Sequence, residues 1–347
     1  MLKSILVFLL PAISIAFAVQ GAWAEPQSFV TTEYGRPQHL VAVDRTRRIN
    51  LICMGHGTPV VMFLSGLGSG AVDWRKVQPA IGQMTEACAY DRAGYGFSDA
   101  PNRPSDATNA VADLHALLQA AHLPSPVVLV GHSLGGLYAT LYAETYPKQI
   151  AGMLLVEPSF HGQSQAIAKA VGEAAAHQIA ASQVRTLAAV DQCVALAKTG
   201  RLALASDANS DCLDNPPDPD PAVHAERNRV ARSAAHELAL RDEFLNANVT
   251  GADGKTTDDR ETVRAGASLG SIPLVVLTRG DLNKLPGVTT EQSTHAEQAW
   301  RTGHDQLATL SRHGTNIVVP HTGHFIQLEQ PAVVIESITQ ILAKVRS

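Results

Sequence analysis

The segment Val127-Val128-Leu129-Val130-Gly131-His132-Ser133-Leu134-Gly135-Gly136 constrains the fold more than any other stretch of the chain. A short β-branched run leads into G-x-S-x-G, and residues 135–146 read as a helix. A strand that turns sharply into a helix around a serine holds that side chain in a strained conformation. Small residues are needed at 131 and 135, where a larger side chain would collide with adjacent backbone. Ser133 then opens a helix, whose free amides and dipole favour a neighbouring negative charge. The plain alternative is a glycine-rich turn with an incidental serine. The flanking strand and helix weigh against it.

Around this segment, strand and helix signals alternate. Apolar runs occur at 60–64, 86–90, 126–130 and 152–156, then at 272–278 and 316–320. VVMFL, VVLV and MLLV are uninterrupted, as strands buried on both faces are. Residues 39–44 and 48–53 alternate in part, like a hairpin. Val111, Leu114, Leu117 and Leu118 recur at helical spacing within 107–121, and 331–345 reads as a last helix. Strands alternating with helices imply crossover connections and a mostly parallel sheet flanked by helices, an α/β fold. Residues 160–265 break the rhythm. Two helical stretches, 161–200 and 222–247, surround the proline-interrupted DCLDNPPDPDPA. We read 160–265 as a helical cap inserted into a core formed by 25–159 and 266–347.

The first 24 residues read as a secretory signal. Lys3 supplies the positive start, an apolar run follows, and Ala22-Trp23-Ala24 is a small-residue cleavage pattern. An uncleaved anchor is the alternative, but Pro11 and Ser14 leave the run short for a span. The expected location is periplasmic or extracellular, with no stable membrane span after cleavage. The formal net charge is −5 and no basic block is present, which argues against nucleic acid as a partner. Four cysteines, Cys53, Cys88, Cys193 and Cys212, suggest disulfides in an exported chain. They allow three connectivities, of which Cys53–Cys88 with Cys193–Cys212 is preferred over the others and over free thiols. No C-x-x-C spacing is present, so no metal site is expected.

A serine hydroxyl needs a base to take its proton. The candidate is His324, on the loop after the last strand signal, with a glycine before it that permits close backbone approach. His321 is the competitor. A third residue must orient the imidazole and balance its charge. Glu157 ends the strand that follows the serine's helix, and Asp281 follows PLVVLTRG. Both lie where strands finish, the ligand-bearing edge of an open α/β sheet. Glu157 is preferred, with Asp281 as the alternative acid. For the oxyanion, Leu134 N–H follows the nucleophile directly. The loop Leu64-Ser65-Gly66-Leu67-Gly68 supplies the second donor, assigned to Leu67, with Gly66 the neighbouring choice.

GHSLGG, FLSGLG, YDRAGYGFSD (90–99) and GHFIQLEQP (323–331) together resemble the α/β-hydrolase superfamily over about 39–158 and 272–345. The resemblance implies an eight-stranded, mostly parallel sheet with a cap after the sixth strand. It also implies neighbouring strands for Cys53 and Cys88, which supports their pairing and leaves the second pair to staple the cap. Two departures stand out. The usual His-Gly of the oxyanion loop is Ser65-Gly66 here, and G-x-x-D after the seventh strand is missing. Capped members similar to haloalkane dehalogenases take the acid from the end of the sixth strand, where Glu157 lies. Those and epoxide hydrolases use an aspartate nucleophile, so a serine disfavours their chemistry.

The sequence therefore predicts a serine hydrolase that cleaves a carboxylic ester or related small-molecule acyl substrate through an acyl-enzyme, with no cofactor. An amidase, aminopeptidase or carbon–carbon hydrolase on the same residues is the second reading. A non-catalytic binding protein of the same fold is the third. Oligomeric state is not legible.

Overall fold

A computed structural model describes residues 33–204, 211–213, 218–262 and 268–347. The expected signal at 1–24 and part of the proline-interrupted loop, 214–217, lie outside the described residues.

The strands are β1 (His39–Ala42), β2 (Arg48–Met54), β3 (Val61–Leu64), β4 (Ala87–Tyr90), β5 (Val127–His132), β6 (Ile150–Val156), β7 (Leu274–Arg279) and β8 (Gly314–Val319). They form one eight-stranded sheet in the order β1-β2-β4-β3-β5-β6-β7-β8. β2 runs antiparallel to both β1 and β4, and every other pairing is parallel.

Each central strand is buried on both faces, and its side chains alternate between two cores. Met62, Leu129, Met153, Leu155 and Val276 point to one core; Phe63, Val128, Val130, Leu154 and Leu277 point to the other. This is the period-two geometry of an extended chain. The first core is closed by α2 (Ala107–Ala120), α3 (Leu134–Thr145) and α9 (Thr290–Ala308), through Leu114, Leu117, Leu141 and Trp300. The second is closed by α1 (Gln78–Gly82) and α11 (Pro331–Arg346), through Ile81, Val334, Ile338 and Ile341.

Between β6 and β7 the described chain runs through α4 (Gln163–Val171), α5 (Glu173–Lys198), α6 (Pro221–Ala231), α7 (Ala234–Asn248) and α8 (Thr257–Glu261). The helical stretch expected over 161–200 is broken at Gly172, which has φ +85°. This insertion is tied to the sheet domain by charge as well as packing. Arg75 meets Asp218 at 3.2 Å with both side chains buried, and Arg227 meets Asp73 at 2.7 Å. Cys193 and Cys212 are bonded within the insertion, and Cys53 and Cys88 join β2 to β4 at directly paired positions.

The helix α9 is not among the elements expected from the sequence. Its buried positions, 293, 296, 297, 300, 303, 304, 307 and 308, recur at helical spacing, but half of them are Ser, Glu, Gly or His, so the face does not read as apolar. Thr289 and Gln292 form a reciprocal capping box at its start.

The seam between α8 and α2 holds a buried carboxyl. Asp258 Oδ1 accepts from Ala107 N–H at 3.0 Å, while Oδ2 is buried without a hydrogen bond. Burial pushes this group up to about 8, opposed by the Ala107 amide and reinforced by Glu261, Asp106 and Glu243. The folded state therefore keeps a proton that the unfolded chain releases near its ordinary value of 3.8. The resulting stability declines as pH rises from about 4 to about 8. Glu237, raised by burial to about 7, acts in the same direction. Asp258→Asn is expected to make the fall in urea-unfolding stability across this window shallower by about 1 kcal/mol or more. An unchanged slope would contradict the assignment.

Candidate active site

Ser133 sits between β5 and α3 with φ +51° and ψ −121°. A left-handed φ is unfavourable for a residue with a Cβ and costs of order 1–3 kcal/mol. The surrounding backbone holds it in place. Ser133 N–H donates to Val156 C=O at 3.1 Å, and Ser133 C=O accepts from the amides of Gly136 and Ser159 at 2.8 and 2.9 Å. The turn brings α3 directly against β3: a Cβ on Gly135 would lie 2.4 Å from Leu64 O and 2.6 Å from Ser65 O. Neither backbone oxygen can move without distorting the sheet. Gly135→Ala is expected to destabilise the fold by about 1–3 kcal/mol or more. A wild-type melting temperature for that variant would count against the tight approach.

His324 lies on the loop between β8 and α10 (Ile326–Glu329). Two contacts fix its place. His132, the residue before Ser133, donates from Nε2 to His324 C=O at 2.9 Å. The two imidazole rings are 4.8 Å apart between centroids. The loop itself is clamped by Glu329, which accepts from Gly323 N–H at 2.6 Å and Phe325 N–H at 3.3 Å. Burial, helped by the nearby His324, pushes His132 down to about 3, so it stays neutral and keeps its role as a single donor. Ser133 and His324 thus lie at one rim of the sheet. His321 is exposed, with φ +56°.

The His324 Nδ1 faces Glu157 Oε1 at 3.9 Å, which leaves Nε2 on the other edge of the ring. Glu157 follows β6 directly, has φ +47°, and is fully buried. Its Oε2 accepts from Arg279 N–H at 2.7 Å; its Oε1 accepts from Trp300 Nε1 at 2.8 Å and from the Arg279 guanidinium. Burial by itself would raise this carboxyl. The nearby His324 imidazole and the Arg279 charge outweigh it, so the pKa falls below the ordinary value. Glu157 is held ionised beside the imidazole. Asp281 is exposed, and its backbone N–H donates to Thr322 C=O at 3.0 Å.

Arg279 and Trp300 were not foreseen from the sequence. Arg279 ends β7, close to where the family's usual acid would be sought, and it bridges Glu157 to Glu297 of α9 at 2.7 Å. Trp300 comes from α9, the helix whose buried face mixes apolar with polar residues.

The two expected oxyanion donors flank the serine. Leu134 is the first residue of α3, where amides have no acceptor within the helix. Across from it, a Cβ on Gly66 would come within 3.1 Å of Ser133 Cβ, so the loop that carries Leu67 packs against Ser133. Two cavities lie near this rim, one of them lined by His324 and the other by its neighbour Phe325. One, of about 260 Å³, runs from Phe325 past Gly68 and Asp73 to α6. The other, of about 240 Å³, is lined by His324, Trp300, Leu285 and Ile167. Among the described residues, Cys53, Glu86 and Cys88 bring three residues of metal-ligating type together, but the two sulfurs are joined to each other.

The Alpha/beta hydrolase family model matches residues 61–337. A (lyso)-N-acylphosphatidylethanolamine lipase from Mus musculus is 32% identical over 105 residues, covering 29% of this chain and 30% of that one. The chain thus spans less than half the length of the curated relatives it matches. Among solved structures, a thermophilic esterase from Thermogutta terrifontis has a TM-score of 0.55 at 17% identity, over 90% of this chain and all of that one. A haloalkane dehalogenase from Agrobacterium tumefaciens C58 has a TM-score of 0.60 at 17% identity, over 88% and 96%. These likenesses show the fold. With the family match over most of its length, the chain belongs to the α/β hydrolase family.

Proposed function

We propose that this protein is an exported serine hydrolase that cleaves carboxylic esters through an acyl-enzyme on Ser133. One observation carries the reading: His324 stands between the strained serine's neighbour and a buried carboxylate, with its Nδ1 toward that carboxylate. In this scheme His324 Nε2 takes the Ser133 Oγ proton as Oγ bonds to the substrate carbonyl carbon. Negative charge moves to the carbonyl oxygen, where the Leu134 and Leu67 amides stabilise it. The alcohol departs with the proton from His324. Water then loses a proton to His324, attacks the acyl carbon, and releases the acid and free Ser133. Glu157 offsets the imidazolium charge in both steps.

A lipase and an esterase among the similar proteins support an ester as substrate. Two disulfides support export into an oxidising compartment. Among the described residues no helix is long and apolar enough to cross a membrane.

A fluorophosphonate probe is expected to label the wild type and not Ser133→Ala. With a p-nitrophenyl ester, His324→Ala should lower kcat by about 10⁶-fold and Glu157→Gln by about 10⁴-fold. Asp281→Asn should leave kcat near the wild-type value. A larger loss for Asp281→Asn than for Glu157→Gln would overturn the acid assignment. Undiminished labelling of Ser133→Ala would overturn the nucleophile.

A further inference from the structure

The loop that carries Leu67 is gripped from behind by a buried guanidinium. Arg92 lies just past β4 and is 7% exposed. Its Nη1 donates to Ser65 C=O at 2.6 Å and its Nη2 to Gly66 C=O at 2.8 Å. The same guanidinium donates to both oxygens of Glu243, at 2.6 and 2.9 Å. Glu243 belongs to α7 in the helical insertion, is 2% exposed, and also accepts from Tyr95 O–H at 2.7 Å. Close backbone packing seats α7 at this point, since a Cβ on Gly94 would lie 2.7 Å from both Ala235 O and Ala239 Cβ.

The geometry of the peptide unit gives these contacts a consequence. Gly66 C=O and Leu67 N–H belong to one planar trans peptide, so they point in opposite directions. Holding the carbonyl toward Arg92 turns the amide away from Arg92, out of the far side of the loop. Gly66 borders Ser133 on that loop. A cation on the carbonyl also polarises the peptide and strengthens the amide as a donor. Ser65 C=O, gripped in the same way, is kept from turning into the site as a competing negative dipole.

We propose that Arg92 is the positioning residue of the oxyanion hole, and that Glu243 makes this hole depend on the seating of the inserted helix α7. The inference rests on the serine-hydrolase reading above. Arg92 touches no substrate; it acts through the peptide between Gly66 and Leu67. Charge on Arg92 is stable in the interior only while Glu243 is in place, because an unpaired buried charge is strongly unfavourable. Gly66 C=O also accepts from Ser69 N–H at 3.2 Å, so lifting α7 would loosen the loop rather than free it, and weaken the second donor.

The test compares Arg92→Met, Arg92→Lys, Glu243→Gln and Tyr95→Phe with the wild type. The readouts are kcat and KM on a p-nitrophenyl ester, inhibition by a trifluoromethyl ketone, and melting temperature. Losing one oxyanion donor lowers kcat by about 10²–10³-fold. Arg92→Met should approach that loss with KM little changed, and the ketone, which mimics the tetrahedral state, should weaken in proportion. Arg92→Lys should recover part of both. Glu243→Gln should show the same split to a smaller degree, and Tyr95→Phe a smaller one still. Arg241→Ala, also on α7, which breaks an exposed pair with Asp191 of α5, should leave kcat unchanged. If Arg92→Met fails to fold, Glu243→Gln and Tyr95→Phe decide the matter. Lowered melting temperatures with wild-type kcat and ketone affinity would make the cluster a structural staple and overturn the proposal alone. A wild type that takes no fluorophosphonate label would overturn the hydrolase reading as well.

Discussion

The left-handed backbone at Ser133 sets the position of everything else in the site. A serine does not adopt that conformation unless its neighbours enforce it. Here β6 supplies the acceptor Val156, α3 and the segment after β6 supply two donors, and β3 leaves no room for a side chain at Gly135. Each contact comes from a different part of the chain. The strain at one residue is therefore borne by a large buried sheet, and the hydroxyl is fixed at the sheet's rim rather than on a mobile loop.

Two buried arginines organise the groups around it. Arg279, at the end of β7, holds Glu157; Arg92, just beyond β4, holds the loop opposite. Each faces backbone or a functional group on one side and a helix carboxylate on the other, Glu297 for Arg279 and Glu243 for Arg92. A lone guanidinium in the interior would cost more than its hydrogen bonds return, so each needs its carboxylate. The planar fork serves such sites better than an ammonium, because it can grip two oxygens at once in a fixed direction. The pairs make the site's shape depend on α9 and α7, which themselves contribute none of the proposed reacting groups.

Much of this was legible in the sequence, for identifiable reasons. The central strands announce themselves because burial on both faces demands unbroken apolar runs, and 127–132 was recognisable also by its turn. Cys53 and Cys88 were placed opposite each other by family resemblance, and they are paired in the register of β2 with β4. What stayed hidden was the support. α9 buries Ser293, Glu297, Gly303 and His304 alongside Trp300, so its inward face is regular but does not read as an apolar stripe. Arg92 and Glu243 are 151 residues apart, and nothing local to either says that they meet. Arg279 looked like an ordinary strand end, although it sits beside the position where an acid was sought. The fold buries Glu157 and leaves Asp281 exposed, a tertiary difference that strand-end position alone does not encode.

The central claim is that Ser133, His324 and the two backbone amides converge on one reacting carbon. The most direct measurement is a crystal structure of the protein inactivated by a phosphonate ester, whose phosphorus stands in for the tetrahedral carbon. The account predicts a bond from phosphorus to Ser133 Oγ, His324 Nε2 facing the adduct, and the phosphoryl oxygen about 2.7–3.1 Å from both Leu134 N and Leu67 N. An adduct on another residue, or a phosphoryl oxygen turned to solvent away from these amides, would contradict it.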